Sequence, residues 1–175
     1  TLSLWCVLAG QAGAQETAPI MPLATKALLL DISPAGERLV AAGEHGIVLY
    51  SDDNGSHWQQ AAVPTTRMLT GIHFVDSRHG WAVGHDEIIL HTADGGETWV
   101  RQHYAPASQQ PLLDVWCADA RRSIAVGAYG AFYSTVDGGA TWAASRFEPL
   151  PPPGARPASC RSTRWSVALD SLPNR

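Results

Sequence analysis

Thr92-Ala-Asp-Gly-Gly-Glu-Thr-Trp99 decides how this chain is read, because the same pattern occurs three times. Ser51-Asp-Asp-Asn-Gly-Ser-His-Trp58 stands upstream of it and Thr135-Val-Asp-Gly-Gly-Ala-Thr-Trp142 downstream. Each copy has a hydroxyl residue first, Asp third, Gly fifth and Trp eighth, and the tryptophans follow one another at 41 and 43 residues. Self-similarity at such a period means that one structural unit is used three times.

The chemistry of the octet is that of a tight turn with a plug. The hydroxyls of Ser51, Thr92 and Thr135 and the carboxylates of Asp53, Asp94 and Asp137 can hold nearby backbone N–H groups in an Asx-type turn, while Gly55, Gly96 and Gly139 supply a positive φ. Trp58, Trp99 and Trp142 then start the outgoing strand, where the ring covers one end of a core and its N–H finds a partner. These twelve residues are structural parts.

Working outward, each octet is preceded by three short segments rich in Val, Ile and aromatic residues, with turn residues between them. The first unit predicts strands at Leu28–Ile32, Arg38–Ala42, Ile47–Tyr50 and Trp58–Val63. The second predicts Gly71–Val75, Gly80–Val83, Ile88–His91 and Trp99–Tyr104, and the third Leu113–Trp116, Ser123–Val126, Ala131–Ser134 and Trp142–Phe147. Gly43, Gly84 and Gly127 repeat at the same 41 and 43 residues, so the two extra residues of the last interval fall in the link around Pro106–Pro111. The expected fold is all-β: three four-stranded blades, residues 27–64, 65–106 and 107–150, of a β-propeller. A whole propeller of six or seven blades would need a longer chain. Two unpaired outer blade faces then favour either a longer parent protein or association of copies through the open edges.

Residues 1–14 form a short apolar run ending in Ala12-Gly-Ala14, which reads as the remainder of a secretory signal, and residues 15–26 read as a lead-in. The run is too short to span a bilayer. Export would permit a disulfide between Cys117 and Cys160, but their settings differ, and two incidental thiols are the simpler expectation. Residues 151–175 open on Pro151-Pro-Pro-Gly154 and carry Arg156, Arg161, Arg164 and Arg175 against Asp170, a change of character that suggests a flexible tail or a shift of reading frame. The net charge of −4 and the scarcity of lysine argue against a nucleic-acid surface.

The octets resemble the Asp-box, or BNR repeat, of sialidases, sortilin-like receptors, xyloglucan hydrolases and the photosystem II assembly-factor family. Gly80-Trp-Ala-Val-Gly84 followed by a strand and a box is most similar to the last of these, bacterial members included. The resemblance implies that each box joins the third and fourth strands of a blade, on the rim away from the binding site. It also implies a non-enzymatic, exported scaffold in the periplasm, the extracellular space or a lumen, which binds a protein of a membrane complex and assists its assembly or stability. Successive hairpin turns alternate between rims, so Glu44, His45, His85, Asp86, Glu87 and Tyr129 would lie on the rim opposite the boxes and are the candidate partner-binding residues.

The alternative is a glycan-binding or glycoside-hydrolysing propeller of the sialidase group. That chemistry needs an arginine cluster, a tyrosine nucleophile with a neighbouring glutamate and an acid/base carboxylate. No Arg-Ile-Pro motif stands in the chain, and Tyr50 and Tyr133 fall on third strands. The seven histidines lack the close spacing of zinc ligands, and no glycine-rich loop precedes a helix. Neither catalytic residues, nor a metal, nor a cofactor is expected.

Overall fold

A computed structural model describes residues 16–146. The signal-peptide reading and the readings of residues 151–175, Cys160 included, fall outside the described residues. The described chain forms twelve strands in three antiparallel sheets of four. The first sheet comprises β1 (Leu29–Ala35), β2 (Arg38–Gly43), β3 (Val48–Ser51) and β4 (Gln59–Gln60). The second comprises β5 (Leu69–Phe74), β6 (Gly80–Gly84), β7 (Ile88–Thr92) and β8 (Val100–His103). The third comprises β9 (Leu112–Cys117), β10 (Ser123–Gly127), β11 (Ala131–Thr135) and β12 (Ala143–Arg146). Within each sheet the strands follow in chain order, and β1, β5 and β9 lie side by side, so the sheets stand as neighbouring blades.

A strand buried on one face alternates apolar and polar residues, whereas one buried on both does not. The first unit's β1 alternates, and Ile32 is 53% exposed. In the middle blade all five residues of β6 are buried, because blades cover both of its faces. Val40, Ala42 and Val48 of the first blade pack against Leu69, Ile72, Ile88 and Leu90 of the second. Trp81, Val83 and Ile89 of the second pack against Leu112, Val115, Ala125 and Tyr133 of the third. Ile72 and Val115, the counterparts of Ile32, are each 3% exposed. Backbone bonds add to the apolar contact: Ile72 N–H donates to Asp31 Oδ2 at 2.8 Å and Phe74 N–H to Ser33 Oγ at 3.1 Å.

The strand bounds differ most from expectation in the first unit, where Gln59–Gln60 is the whole of the fourth strand. Ala61 N–H still donates to Val48 O of its own blade at 2.9 Å, and from Ala62 the backbone pairs with the next blade. Ala62 N–H donates to Glu97 O at 3.0 Å, and Trp99 N–H to Ala62 O at 3.2 Å. The lead-in is also built into the fold: Ala18 N–H donates to Val63 O at 2.9 Å, and Ala24 packs on Ile47 and Leu49. Trp81 lies fully buried between blades, whereas Trp116 is 44% exposed on the outer blade.

Candidate partner-binding rim

The three octets form the same hydrogen-bonded turn. Ser51, Thr92 and Thr135 each donate a hydroxyl to the following aspartate, Asp53, Asp94 or Asp137, at 2.8 Å. The same hydroxyl oxygens accept the N–H of Gly55, Gly96 and Gly139 at 2.8, 3.0 and 2.9 Å. Sequence reading passed over the seventh position. Each aspartate accepts the backbone N–H of His57, Thr98 or Thr141 and contacts the same residue's side chain as well. Threonine at both Thr98 and Thr141 was the available signal.

These bonds favour the ionised carboxylate. The His57 backbone N–H, the His57 side chain and the Ser51 hydroxyl hold Asp53 down to about 2. The Thr141 hydroxyl and N–H, then the Thr135 hydroxyl, do the same for Asp137, also to about 2. Burial acts against ionisation at Asp94, but the bonds from Thr98 and Thr92 outweigh it, and the group is lowered.

The tryptophans part company. Trp99 Nε1 donates within its own turn, to Gly96 O at 3.0 Å. Trp142 Nε1 reaches back to Gln102 Oε1 of the preceding blade at 3.2 Å, and Trp81 Nε1 shares that acceptor at 3.0 Å. Gln102 Nε2 in turn donates to Gly138 O at 2.8 Å, so one amide joins β6, β8 and the third octet. Arg38 does comparable work between the first two octets, pairing with Asp52 at 2.6 Å and Glu97 at 3.0 Å.

At the other end of each blade, the turn between second and third strands is one 3-10 turn: Glu44–Gly46, His85–Glu87 and Ala128–Gly130. Why it recurs is steric. A Cβ on Gly43, Gly84 or Gly127 would lie 2.0, 2.0 or 2.5 Å from the carbonyl oxygen of Leu28, Met68 or Pro111. Those carbonyls accept the next residue's N–H, from Glu44, His85 and Ala128, at 3.0, 2.9 and 3.0 Å. The middle residues His45, Asp86 and Tyr129 all take positive φ, near 54, 60 and 57°.

The six candidate residues therefore occupy equivalent turns but differ in setting. His45 and His85 are exposed, and Tyr129 is 82% exposed. Glu44 Oε1 accepts the Leu28 N–H at 2.9 Å. Asp86 pairs with Arg67 at 3.1 Å, and Arg67 also donates to Tyr104 at 3.3 Å. Glu87 turns inward: it is 7% exposed and accepts the Tyr133 hydroxyl at 2.8 Å. It lines a cavity of about 450 Å³ with Ser108, Gln110, Ala131, Tyr133, Ala144 and Ser145.

Burial lowers the pKa of His73, His91 and His103 and so favours their neutral forms. Burial also pushes the Cys117 thiol up to about 12. Among the described residues, no three His, Cys, Asp or Glu side chains gather to hold a metal.

Four-stranded sheets standing side by side, joined through hydroxyl, aspartate, glycine and tryptophan turns, define an Asp-box β-propeller, here in three blades. Within that class the chain is similar to photosystem II assembly factors. Residues 50–111 match the family described as Photosynthesis system II assembly factor YCF48. The chain is 47% identical over 47 residues to the Photosystem II stability/assembly factor HCF136, chloroplastic, of Cyanidioschyzon merolae, which is 26% of this chain and 11% of that protein. It is 31% identical over 86 residues to the Photosystem II assembly lipoprotein Ycf48 of Synechococcus sp. (strain CC9902), 45% of this chain and 25% of that protein.

Among solved structures, YCF48 from Cyanidioschyzon merolae superposes with a TM-score of 0.60 at 25% identity, over 75% of this chain and 43% of that one. A second, YCF48 bound to D1 peptide, shares the fold with a TM-score of 0.60 at 24% identity, over 67% of this chain and 40% of that one. The chain thus spans less than half the length of each of these relatives.

Proposed function

We propose that this chain is an exported, non-enzymatic propeller scaffold whose rim opposite the Asp boxes holds a segment of a membrane-complex protein and assists that complex's assembly or stability. The observation that carries the reading is the thrice-repeated turn, which sets His45, Asp86 and Tyr129 at equivalent tips, one per blade. Rigid blades present such tips at fixed spacing, which lowers the ordering cost of binding. The likeness to photosystem II assembly factors, one of them described as bound to a D1 peptide, supports a protein partner from a membrane complex. No helix among the described residues is long and apolar enough to cross a membrane. In the same reading, the outer blade faces, where Ile32 and Trp116 are 53% and 44% exposed, are covered either by further blades of a longer parent protein or by copies of the chain.

Photo-crosslinking tests this. A photoreactive phenylalanine analogue replaces Tyr129 on the one rim or Val136, 70% exposed in the third octet, on the other. In detergent-solubilised membranes of the source organism, position 129 should yield an adduct with a membrane-complex subunit and position 136 should not. Equal adducts from both rims, or none from either, would overturn the rim assignment. Turnover of a fluorogenic sialoside above a heat-killed control would overturn the non-enzymatic reading.

A further inference from the structure

The cavity beside Glu87 exists because four things change together between one blade junction and the next. At the first junction Gly46 and Leu90 hold the corresponding places in the repeat, and a Cβ on Gly46 would lie 2.0 Å from Thr65 O of the passing link. At the second junction the equivalent positions are Glu87 and Tyr133, Ile88 has given way to Ala131, and the link is two residues longer. A carboxylate, a phenol and about 450 Å³ of space replace a closed apolar contact.

We propose that this cavity receives a cationic side chain, an arginine or lysine presented by a protein partner, with Glu87 as its counter-charge. The first support is the backbone. Glu87 sits at φ 53°, a left-handed conformation that disfavours any side chain, whereas Gly46 and Gly130 hold the equivalent positions at 71 and 76°. The fold therefore accepts glycine there twice and carries a strained glutamate once, and strain of that kind collects at functional sites.

The second support is unmet bonding capacity. An ionised carboxylate offers about four acceptor sites. Glu87 takes one side-chain hydrogen bond, from Tyr133 to Oε2, no arginine or lysine among the described side chains pairs with it, and the nearby His103 imidazole is held toward its neutral form by burial. Its partner is held in place, since the Tyr133 ring lies 4.7 Å from that of His103. A carboxylate 7% exposed and without a counter-charge gains most from an entering cation. The remaining lining, with the side chains of Ser108, Gln110 and Ser145, supplies further acceptors for ammonium or guanidinium N–H groups, and the volume falls in the ordinary range of ligand pockets, about 300–1,000 Å³.

The inference rests on the rim reading in one respect, that a partner's chain delivers the cation, so its test uses small probes. Gly-Arg-Gly and Gly-Lys-Gly amides are titrated into the full chain with Gly-Gln-Gly amide as the neutral control, followed by calorimetry and by the amide resonances of Glu87 and Ala131. Binding of the two cationic probes, weakened by added salt, with no response to the neutral one, is the expected result. Glu87→Gln keeps the side-chain volume and an acceptor for Tyr133, so it should leave the melting temperature unchanged while weakening cation binding roughly tenfold or more. Equal binding of the neutral probe, no binding of any probe, or binding unaffected by Glu87→Gln would each overturn the site. Those outcomes leave the crosslinks from position 129 untouched, and loss of the crosslinks would leave probe binding untouched.

Discussion

The two blade junctions solve the same packing problem with different materials. Between the first and second blades the core is apolar and closed, with Val40, Ala42, Val48, Leu69, Ile72 and Leu90 each no more than 3% exposed and Phe74 and Trp99 packed edge to face beside them. Between the second and third, Trp81, Gln102, His103 and Tyr133 bring indole, amide, imidazole and phenol into the seam, and a buried carboxylate with them. An apolar seam needs only complementary volume. A polar one must satisfy each buried donor and acceptor, so it specifies its geometry more narrowly and leaves groups that can turn toward a ligand. The repeat keeps its shape through either solution because the turns at both ends of each blade are held by local bonds.

The contrast can be broken most severely at Trp81, which is fully buried and shares Gln102 with Trp142. Trp81→Ala should cost about 4 kcal/mol, read as a lowered midpoint in guanidinium unfolding. Moving the second junction's acid into the first is the next test. Gly46→Glu should destabilise by about 3 kcal/mol, because its Cβ would meet Thr65 O and its φ is 71°. A loss below ~1 kcal/mol would mean that the first junction has room for a side chain and that the comparison fails.

Smaller effects come from the turns that both junctions share. Thr92→Val preserves shape but removes a buried hydroxyl that binds Asp94 and the Gly96 N–H, and it should lower stability by about 1–2 kcal/mol in urea unfolding. Acid should have the mildest effect. An unfolded aspartate titrates near ~3.9, whereas Asp53 and Asp137 are held at about 2 in the fold. The unfolded chain therefore takes up these protons first, and the stability the two groups add is complete above ~4, falls as pH drops toward about 2, and is gone below it. The melting temperature should decline through that window, less steeply in Asp137→Asn; parallel declines would separate the box from acid unfolding.

How far the chain could be read depended on whether a signal was periodic. Three octets in register carried the all-β class, the sheet count and the alternation of turns, because a turn built from a hydroxyl, a carboxylate and a glycine is a local object whose partners lie within four residues. Threonine at the seventh octet position was equally local and was visible in two of the three copies. Gln102, Arg38 and Arg67 belong to no motif, and their roles follow from bonds to residues between 14 and 59 positions away.

Glu87 shows the divide most directly. Its place on a turn opposite the boxes follows from strand counting alone, since each hairpin reverses the chain. That its carboxylate turns inward to Tyr133, 46 residues on, required the third blade to be docked, because only the neighbouring sheet supplies the phenol, the small Ala131 and the lengthened link that leave it room. By itself the amino-acid order determined what each unit is, through short-range bonds and a repeating pattern of apolar residues. The tertiary structure decided what lies between the units, because side chains distant in the chain fill that space and their volumes and hydrogen bonds balance only once the blades are in contact.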